Sequence, residues 1–175
     1  MAVEMKKKFV DLYMGIANEV SKMSASRRTQ VGAVVVKDHR ILSIGYNGTL
    51  PGADNNCETA EFLLADKWTS KWISEEEALD YWDNPYVEAH FRLTTKPEVV
   101  HAEANCLLKM ARDGQPSLGA DIFLTLTPCV ECAKMMKVAG IRKVWFRDEY
   151  RDLSGVEFLK SQGIEVEQVK PKEMK

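Results

Sequence analysis

The sequence predicts a three-layer α/β/α sandwich built on a five-stranded mixed sheet. Three observations carry that expectation. A β-branched run, Val31-Gly32-Ala33-Val34-Val35-Val36, is followed by a short polar turn and a second apolar run, the pattern of an antiparallel hairpin. After residue 101, helical and strand patterns alternate, which implies parallel strands joined by helices that cover both sheet faces. The chain has 175 residues, 45% hydrophobic and 29% charged, enough for one domain with a full core.

Residues 4–24 read as an amphipathic helix, because Phe9, Tyr13, Ile16, Val20 and Met23 recur every three or four positions. Ser24-Ala25-Ser26-Arg27-Arg28-Thr29 is a polar break before the first strand. Lys37-Asp38-His39-Arg40 makes the hairpin turn, and Ile41-Leu42-Ser43-Ile44-Gly45-Tyr46 returns as the second strand. Asn47-Gly48 and Pro51-Gly52 announce a long loop. Residues 53–97 fit no compact pattern and read as an insertion, a lid or small subdomain, within a single domain spanning 1–175. Inside it, Glu61 to Trp68 and Glu75 to Trp82 look locally helical, and three of the four tryptophans lie here.

The second half is regular. Ala104, Leu107, Leu108 and Ala111 mark a helix that stops at Asp113-Gly114. Ile122 to Leu126 is a strand, and Pro128 opens a helix in its first turn, where a missing N–H costs nothing. Lys143 to Phe146 is the next strand. Leu153, Val156 and Leu159 mark a last helix, and Ile164, Val166 and Gln168 a last strand.

The charge balance narrows the partners. With 24 basic and 26 acidic side chains the net charge is −2, without the basic stripe that polynucleotide binders show. A single nucleotide fits better, since one phosphate needs only one or two cations. No apolar stretch is long enough to span a membrane. Lys6-Lys7-Lys8 is not followed by a signal core, because Asp11, Asn18 and Glu19 interrupt it, so the expectation is a cytoplasmic protein. Of four cysteines, Cys129 and Cys132 stand at metal-ligand spacing, which suits reduced thiols.

Those two cysteines and His101 offer zinc two thiolates and an imidazole. Three protein ligands leave a fourth position for water, which marks a catalytic site rather than a structural one. Residues three apart on a helix face the same way, and a helix N-terminus stabilises thiolates. Glu103, two residues after His101, is then placed as a proton shuttle rather than a ligand. Two blander readings compete. A redox Cys-x-x-Cys pair would sit in a βαβ unit near the chain start, and a structural zinc would need a fourth ligand and leave Glu103 unexplained.

His101-Ala102-Glu103 with Pro128-Cys129-Val130-Glu131-Cys132 resembles the His-x-Glu…Pro-Cys-x-x-Cys signature of zinc-dependent nucleobase deaminases. Further pieces narrow the match: Gln30 to Val36, Gly45-Tyr46-Asn47-Gly48, His101-Ala102-Glu103-Ala104-Asn105 and Thr127 to Cys132. In that order, over most of residues 10–150, they resemble the deoxycytidylate (dCMP) deaminase family of the cytidine deaminase-like superfamily. Free cytidine deaminases usually carry cysteine where His101 stands, and tRNA adenosine deaminases usually lack so long an insert.

The resemblance implies a cytidine deaminase-like fold and hydrolysis of dCMP to dUMP and ammonia, in pyrimidine deoxynucleotide metabolism. It implies one catalytic Zn²⁺ per subunit on His101, Cys129 and Cys132, with Glu103 as the catalytic residue. Asn47 would bind the sugar and base region, Ala102 would offer its backbone N–H to the pyrimidine carbonyl, and Thr127 would sit beside the ring. Arg28, or its neighbour Arg27, would hold the phosphate by its forked donors, with Tyr150 a further phosphate contact. The family is typically a homohexamer, activated by dCTP with Mg²⁺ and inhibited by dTTP, and the effector loop corresponds to Leu50 to Glu58. Some members hold a second, structural zinc; Cys57 and His90 could serve here, but two ligands are too few to hold one. Cys106 is expected to be a small buried residue. A polynucleotide or tRNA deaminase, and a non-catalytic zinc-stabilised binding module, are the alternatives. The intact His101, Glu103, Cys129 and Cys132 argue against the last.

Overall fold

A computed structural model describes residues 5–65, 70–74, 76 and 88–170, without the side chains of 62–65, 70, 71 and 88–91. The first helix, α1 (Lys7–Ser21), leads into strands β1 (Gly32–Lys37) and β2 (Arg40–Tyr46). Strands β3 (Glu58–Ala65), β4 (Ser70–Ser74) and β5 (Glu88–Thr95) follow. Then come α2 (Ala102–Arg112), β6 (Asp121–Leu126), α3 (Val130–Val138), β7 (Lys143–Asp148), α4 (Ser154–Ser161) and β8 (Glu165–Gln168).

The five-stranded sheet runs in the order β2-β1-β6-β7-β8. β1 is antiparallel to both β2 and β6, while β6, β7 and β8 are mutually parallel, so the sheet is mixed as expected. The β1–β2 hairpin closes through Asp38 and His39, both at positive φ (49° and 59°), the backbone a two-residue type I′ turn demands.

The pleat divides the core into two layers. Ala33, Val35, Ile122, Leu124, Val144 and Phe146 point to one face, where Ala102, Cys106, Met110, Ala133, Met136 and Leu159 from α2, α3 and α4 cover them. Val34, Val36, Phe123 and Trp145 point to the other, against Val10, Tyr13, Met14, Ala17 and Val20 of α1. Phe123 lies between the rings of Trp145 and Tyr13, with centroids 5.7 and 5.4 Å away. Cys106 is fully buried in the first layer, where desolvation pushes its thiol up to about 12.

Three sequence expectations need correction. Residues 61–65 are not helical: they belong to β3, the centre of a second, antiparallel sheet of order β4-β3-β5. Glu, Leu and Ala favour a helix locally, but pairing on both edges overrides that preference. Residues 66–69, and 75 and 77–82 of the second expected helical stretch, lie outside the described residues. Met23 falls beyond the end of α1 and is 59% exposed; the helix buries Val10, Met14 and Ala17 instead. Pro128 precedes α3, whose N-cap is Cys129, because Cys129 holds an extended backbone that begins the helix one residue later.

An isolated bridge, Gly48 with Val100, pins the two ends of the excursion that carries the second sheet, immediately before His101. Where β2 crosses under α2, Gly45 meets the helix backbone: a Cβ there would lie 2.5 Å from the Ala102 carbonyl oxygen and 2.9 Å from the Cys106 nitrogen. Gly45→Ala is therefore expected to lift the start of α2 and lower stability by about 1–3 kcal/mol. Denaturant unfolding checks this through a lower midpoint at unchanged slope.

Candidate functional site

His101 and Cys129 hold matching places, the N-caps of α2 and α3, with extended backbones (φ −68°, ψ 153° and φ −73°, ψ 167°). Neither side chain caps its own helix. They meet each other instead, with Cys132 from the first turn of α3. His101 Nδ1 lies 3.6 Å from Cys129 Sγ and 3.4 Å from Cys132 Sγ. Among the described residues, these three form a group whose ligand atoms all lie within 4.8 Å of one another. Zn–S bonds of about 2.3 Å and a Zn–N bond of about 2.0 Å at tetrahedral angles separate N from S by roughly 3.6 Å. The residues present fit a zinc ion, with one position left over.

The α3 half of this group is set by a close backbone approach from α4. A Cβ on Gly155 would lie 2.1 Å from the Pro128 carbonyl oxygen and 2.8 Å from the Cys129 carbonyl carbon. Only a glycine lets α4 press on the peptide that carries Cys129.

The electrostatics suit a cation. The thiol of Cys132 and then the His101 ring, hydrogen-bonded to Cys129, pull the Cys129 thiol down to about 3. The Cys129 sulfur, then burial, push Cys132 up. One thiolate is favoured and a second is opposed, a conflict that a divalent cation between the two sulfurs removes. His101 is raised, chiefly by Cys129, against the effect of its own burial. Glu103, 4% exposed, has its carboxyl raised to about 6 by burial, against the opposing pull of its own main-chain amide and of His101.

A cavity of about 180 Å³ opens beside this group. The sequence-predicted residues Arg28, Asn47, Ala102 and Thr127 line it with His101, Glu103, Cys129 and Tyr150. Cys132 is buried in α3 at the ligand cluster, and Arg27 is not in the lining. As the first residue of α2, Ala102 has a main-chain N–H without an acceptor inside the helix. Thr127 Oγ1 accepts from the Tyr150 amide (2.8 Å), clasping the loops after β6 and β7. Asn47 is bound at both amide atoms: Nδ2 donates to the Thr29 carbonyl (2.9 Å), and Oδ1 accepts from the Val31 amide (2.8 Å). It braces the cavity wall as well as lining it.

Sequence reasoning missed Ser26, Thr29, Val31, Thr95, Val99 and Leu126, which also line the cavity. Ser26 and Thr29 were within reach, since they flank Arg28 in the polar break. Thr95 belongs to β5, whose strand pairing left no periodic signal. The side chain of His90, named for a second zinc with Cys57, lies outside the described residues. A second cavity, of about 510 Å³, lies between the loop after β2 and α2. Leu50, Gly52, Asn55 and Cys57 line it on one side, Lys109 and Arg112 on the other.

The family model for the cytidine and deoxycytidylate deaminase zinc-binding region matches residues 7–147. The deoxycytidylate deaminase of Enterobacteria phage T4 is 34% identical over 172 residues, covering 91% of this chain and 89% of that protein. The human deoxycytidylate deaminase is 31% identical over 144 residues, covering 81% and 66%. The crystal structure of the dCMP deaminase from cyanophage S-TIM5, in complex with dCMP and dUMP, superposes with a TM-score of 0.74. It is 34% identical and covers 95% of this chain and all of that one.

Gly155→Ala is expected to displace Cys129 and weaken zinc binding by about 10–100-fold, the loss typical of disturbing the groups that orient a ligand. Chelator competition on the purified variant, read as zinc retained per chain, checks this without any activity assay.

Proposed function

The chain belongs to the cytidine and deoxycytidylate deaminase zinc-binding family, and from that premise we infer that it hydrolyses dCMP to dUMP and ammonia. The observation that carries the reading is the buried Glu103 beside the His101, Cys129 and Cys132 cluster, opening on one cavity. His101, Cys129 and Cys132 would hold a zinc ion, which would lower the pKa of water there to about 7 and make hydroxide available at neutral pH. Glu103 does the proton work. With its carboxyl near 6 it takes a proton from the attacking water and delivers it to the pyrimidine ring nitrogen, then passes a proton to the departing amine. Water is consumed, the C4–N bond breaks and ammonia leaves.

The other lining residues take assignable roles. The Ala102 N–H holds the pyrimidine carbonyl, Thr127 packs beside the ring, Asn47 braces the sugar and base region, and Arg28 and Tyr150 meet the 5′-phosphate. Arg28 is the fixed cation of the lining, and one guanidinium suits one phosphate. No described helix is long and apolar enough to cross a membrane. Cytoplasmic pyrimidine deoxynucleotide metabolism, with residues 53–97 an insertion in one domain, is the setting that fits this reading.

The second cavity supports a regulatory role. Lys109 and Arg112 offer two cations opposite the loop at 50–57, which suits a nucleoside triphosphate such as dCTP or dTTP, with Mg²⁺ as its counter-ion. Met23, Leu50 and Leu108 expose apolar surface around it, 58–59% each, which suits contact with further copies in a homohexamer.

Two outcomes test these readings. The purified protein is expected to turn over dCMP, followed by the ultraviolet change on deamination, in preference to single-stranded DNA. Glu103→Gln is expected to cut the rate by about 10²–10⁴-fold while zinc is retained. Turnover of DNA but not dCMP overturns the substrate, and activity surviving in Glu103→Gln overturns the mechanism. For the regulatory cavity, the double variant Lys109→Ala, Arg112→Ala is expected to keep dCMP turnover and lose any response to added dCTP or dTTP, read from initial rates.

A further inference from the structure

Glu58, the first residue of β3, is 3% exposed and does not line the catalytic cavity. Its Oε1 nevertheless organises the loop that does. It accepts from the Ser26 hydroxyl (2.6 Å) and from the main-chain amides of Arg27 (3.0 Å) and Arg28 (3.2 Å). The Thr29 amide in turn donates to Ser26 Oγ (3.4 Å). Two successive amides and a hydroxyl aimed at one point form an anion nest, here filled from within the molecule. Burial pushes the Glu58 carboxyl up, but the Ser26 hydroxyl and the two amides outweigh it. The net pKa lies below the ordinary range, so the group is ionised at neutral pH. Oε2 is also buried and makes no hydrogen bond among the described residues. The carboxylate is thus committed to the 26–28 loop.

The other end of Arg28 is held by the same rung of the second sheet. Arg28 Nη1 donates to Thr95 Oγ1 (2.9 Å), and Thr95 is the residue paired with Glu58 in the β3–β5 register. One cross-strand pair therefore grips Arg28 at its main chain and at its guanidinium.

We propose that the Glu58–Thr95 pair positions Arg28 for the 5′-phosphate, so that the second sheet is the element by which this chain selects a nucleotide over a nucleoside. The proposal rests on the reading of Arg28 as the phosphate ligand. The phosphate is unchanged by the chemistry, so losing its alignment weakens ground state and transition state alike and appears in KM rather than kcat. Glu58 and Thr95 are positioning residues, because they act through Arg28.

The experiment compares dCMP with deoxycytidine, which lacks the phosphate, in the zinc-loaded full chain. Glu58→Gln is expected to raise KM for dCMP about 10-fold, the scale of a charged hydrogen bond, with kcat for dCMP and kcat/KM for deoxycytidine changing less than about 2-fold. Thr95→Val removes the guanidinium's acceptor at an exposed position. It is expected to act in the same sense, and it keeps the test open should Glu58→Gln fold poorly. Glu58→Gln added to Arg28→Ala is expected to cost nothing further on dCMP. Equal losses on both substrates, additivity with Arg28→Ala, or no change in either single variant overturns the clamp. So does a fall in KM, which would place the carboxylate where the phosphate should sit. If wild type treats dCMP and deoxycytidine alike, or Arg28→Ala leaves dCMP untouched, the phosphate reading of Arg28 fails and the clamp with it.

Discussion

The ligand cluster depends on two places where main chain touches main chain. Gly45 lets β2 run against the Ala102 carbonyl, and Gly155 lets α4 press on the Pro128–Cys129 peptides. Each contact fixes the first turn of a helix, α2 in one case and α3 in the other. Because both N-caps carry a ligand, fixing the two helix starts brings His101 Nδ1 within 3.4–3.6 Å of both sulfurs. Side chains at N-caps are poor metal ligands if the helix can slide, since a shift along the axis moves the ligand by the same amount. Backbone contacts with no side chain between them leave little room for such a shift.

The same arrangement sets the local charge. Both helix starts face the cluster, and helix N-termini favour negative charge, which suits the Cys129 thiolate and the Glu103 carboxylate. Burial works the other way on Glu103 and brings it to about 6, while Cys129 is carried to about 3. Two acids at neighbouring helix starts therefore end on opposite sides of their ordinary values. The sulfur remains ionised and suited to a metal; the carboxylate stays close enough to neutrality to gain and lose a proton.

The grouping of His101, Cys129 and Cys132 and the place of Glu103 beside them were legible in the sequence because their geometry is local. A residue at a helix start and another two or three positions on share one end of one helix, whatever the rest of the chain does. The five main strands were legible for a similar reason, β1 as a β-branched run and the others as short apolar or alternating stretches between clear turns. The second sheet was not. Glu58-Thr59-Ala60-Glu61-Phe62-Leu63-Leu64-Ala65 carries good helix formers, and its extended form is decided by β4 and β5, partners that no local window contains. Thr95 and Val99 were lost with it. The family resemblance makes Asn47 a substrate contact, yet both of its amide atoms are already engaged by the main chain at Thr29 and Val31. Sequence gives the residue type at such a position, and only the fold reveals how much of its hydrogen-bonding capacity is already used.

A near-neutral chain can still choose a charged substrate if one cation is well placed. A net charge of −2 gives no general attraction for phosphates, so selection must come from fixed geometry rather than from a field. A free arginine side chain carries about 2 kcal/mol of rotamer entropy, which it must lose when it binds a phosphate. Where the protein has already ordered the guanidinium and the loop beneath it, less of that loss remains at the moment of binding. In that proposal Glu58 and Thr95 do this ordering from a sheet that, among the described residues, contributes nothing to the ligand cluster. The two sheets thus divide the work. The five-stranded sheet fixes the helix starts that hold the His101, Cys129 and Cys132 end of the cavity, and the three-stranded sheet holds Arg28, the cation proposed to meet a substrate phosphate.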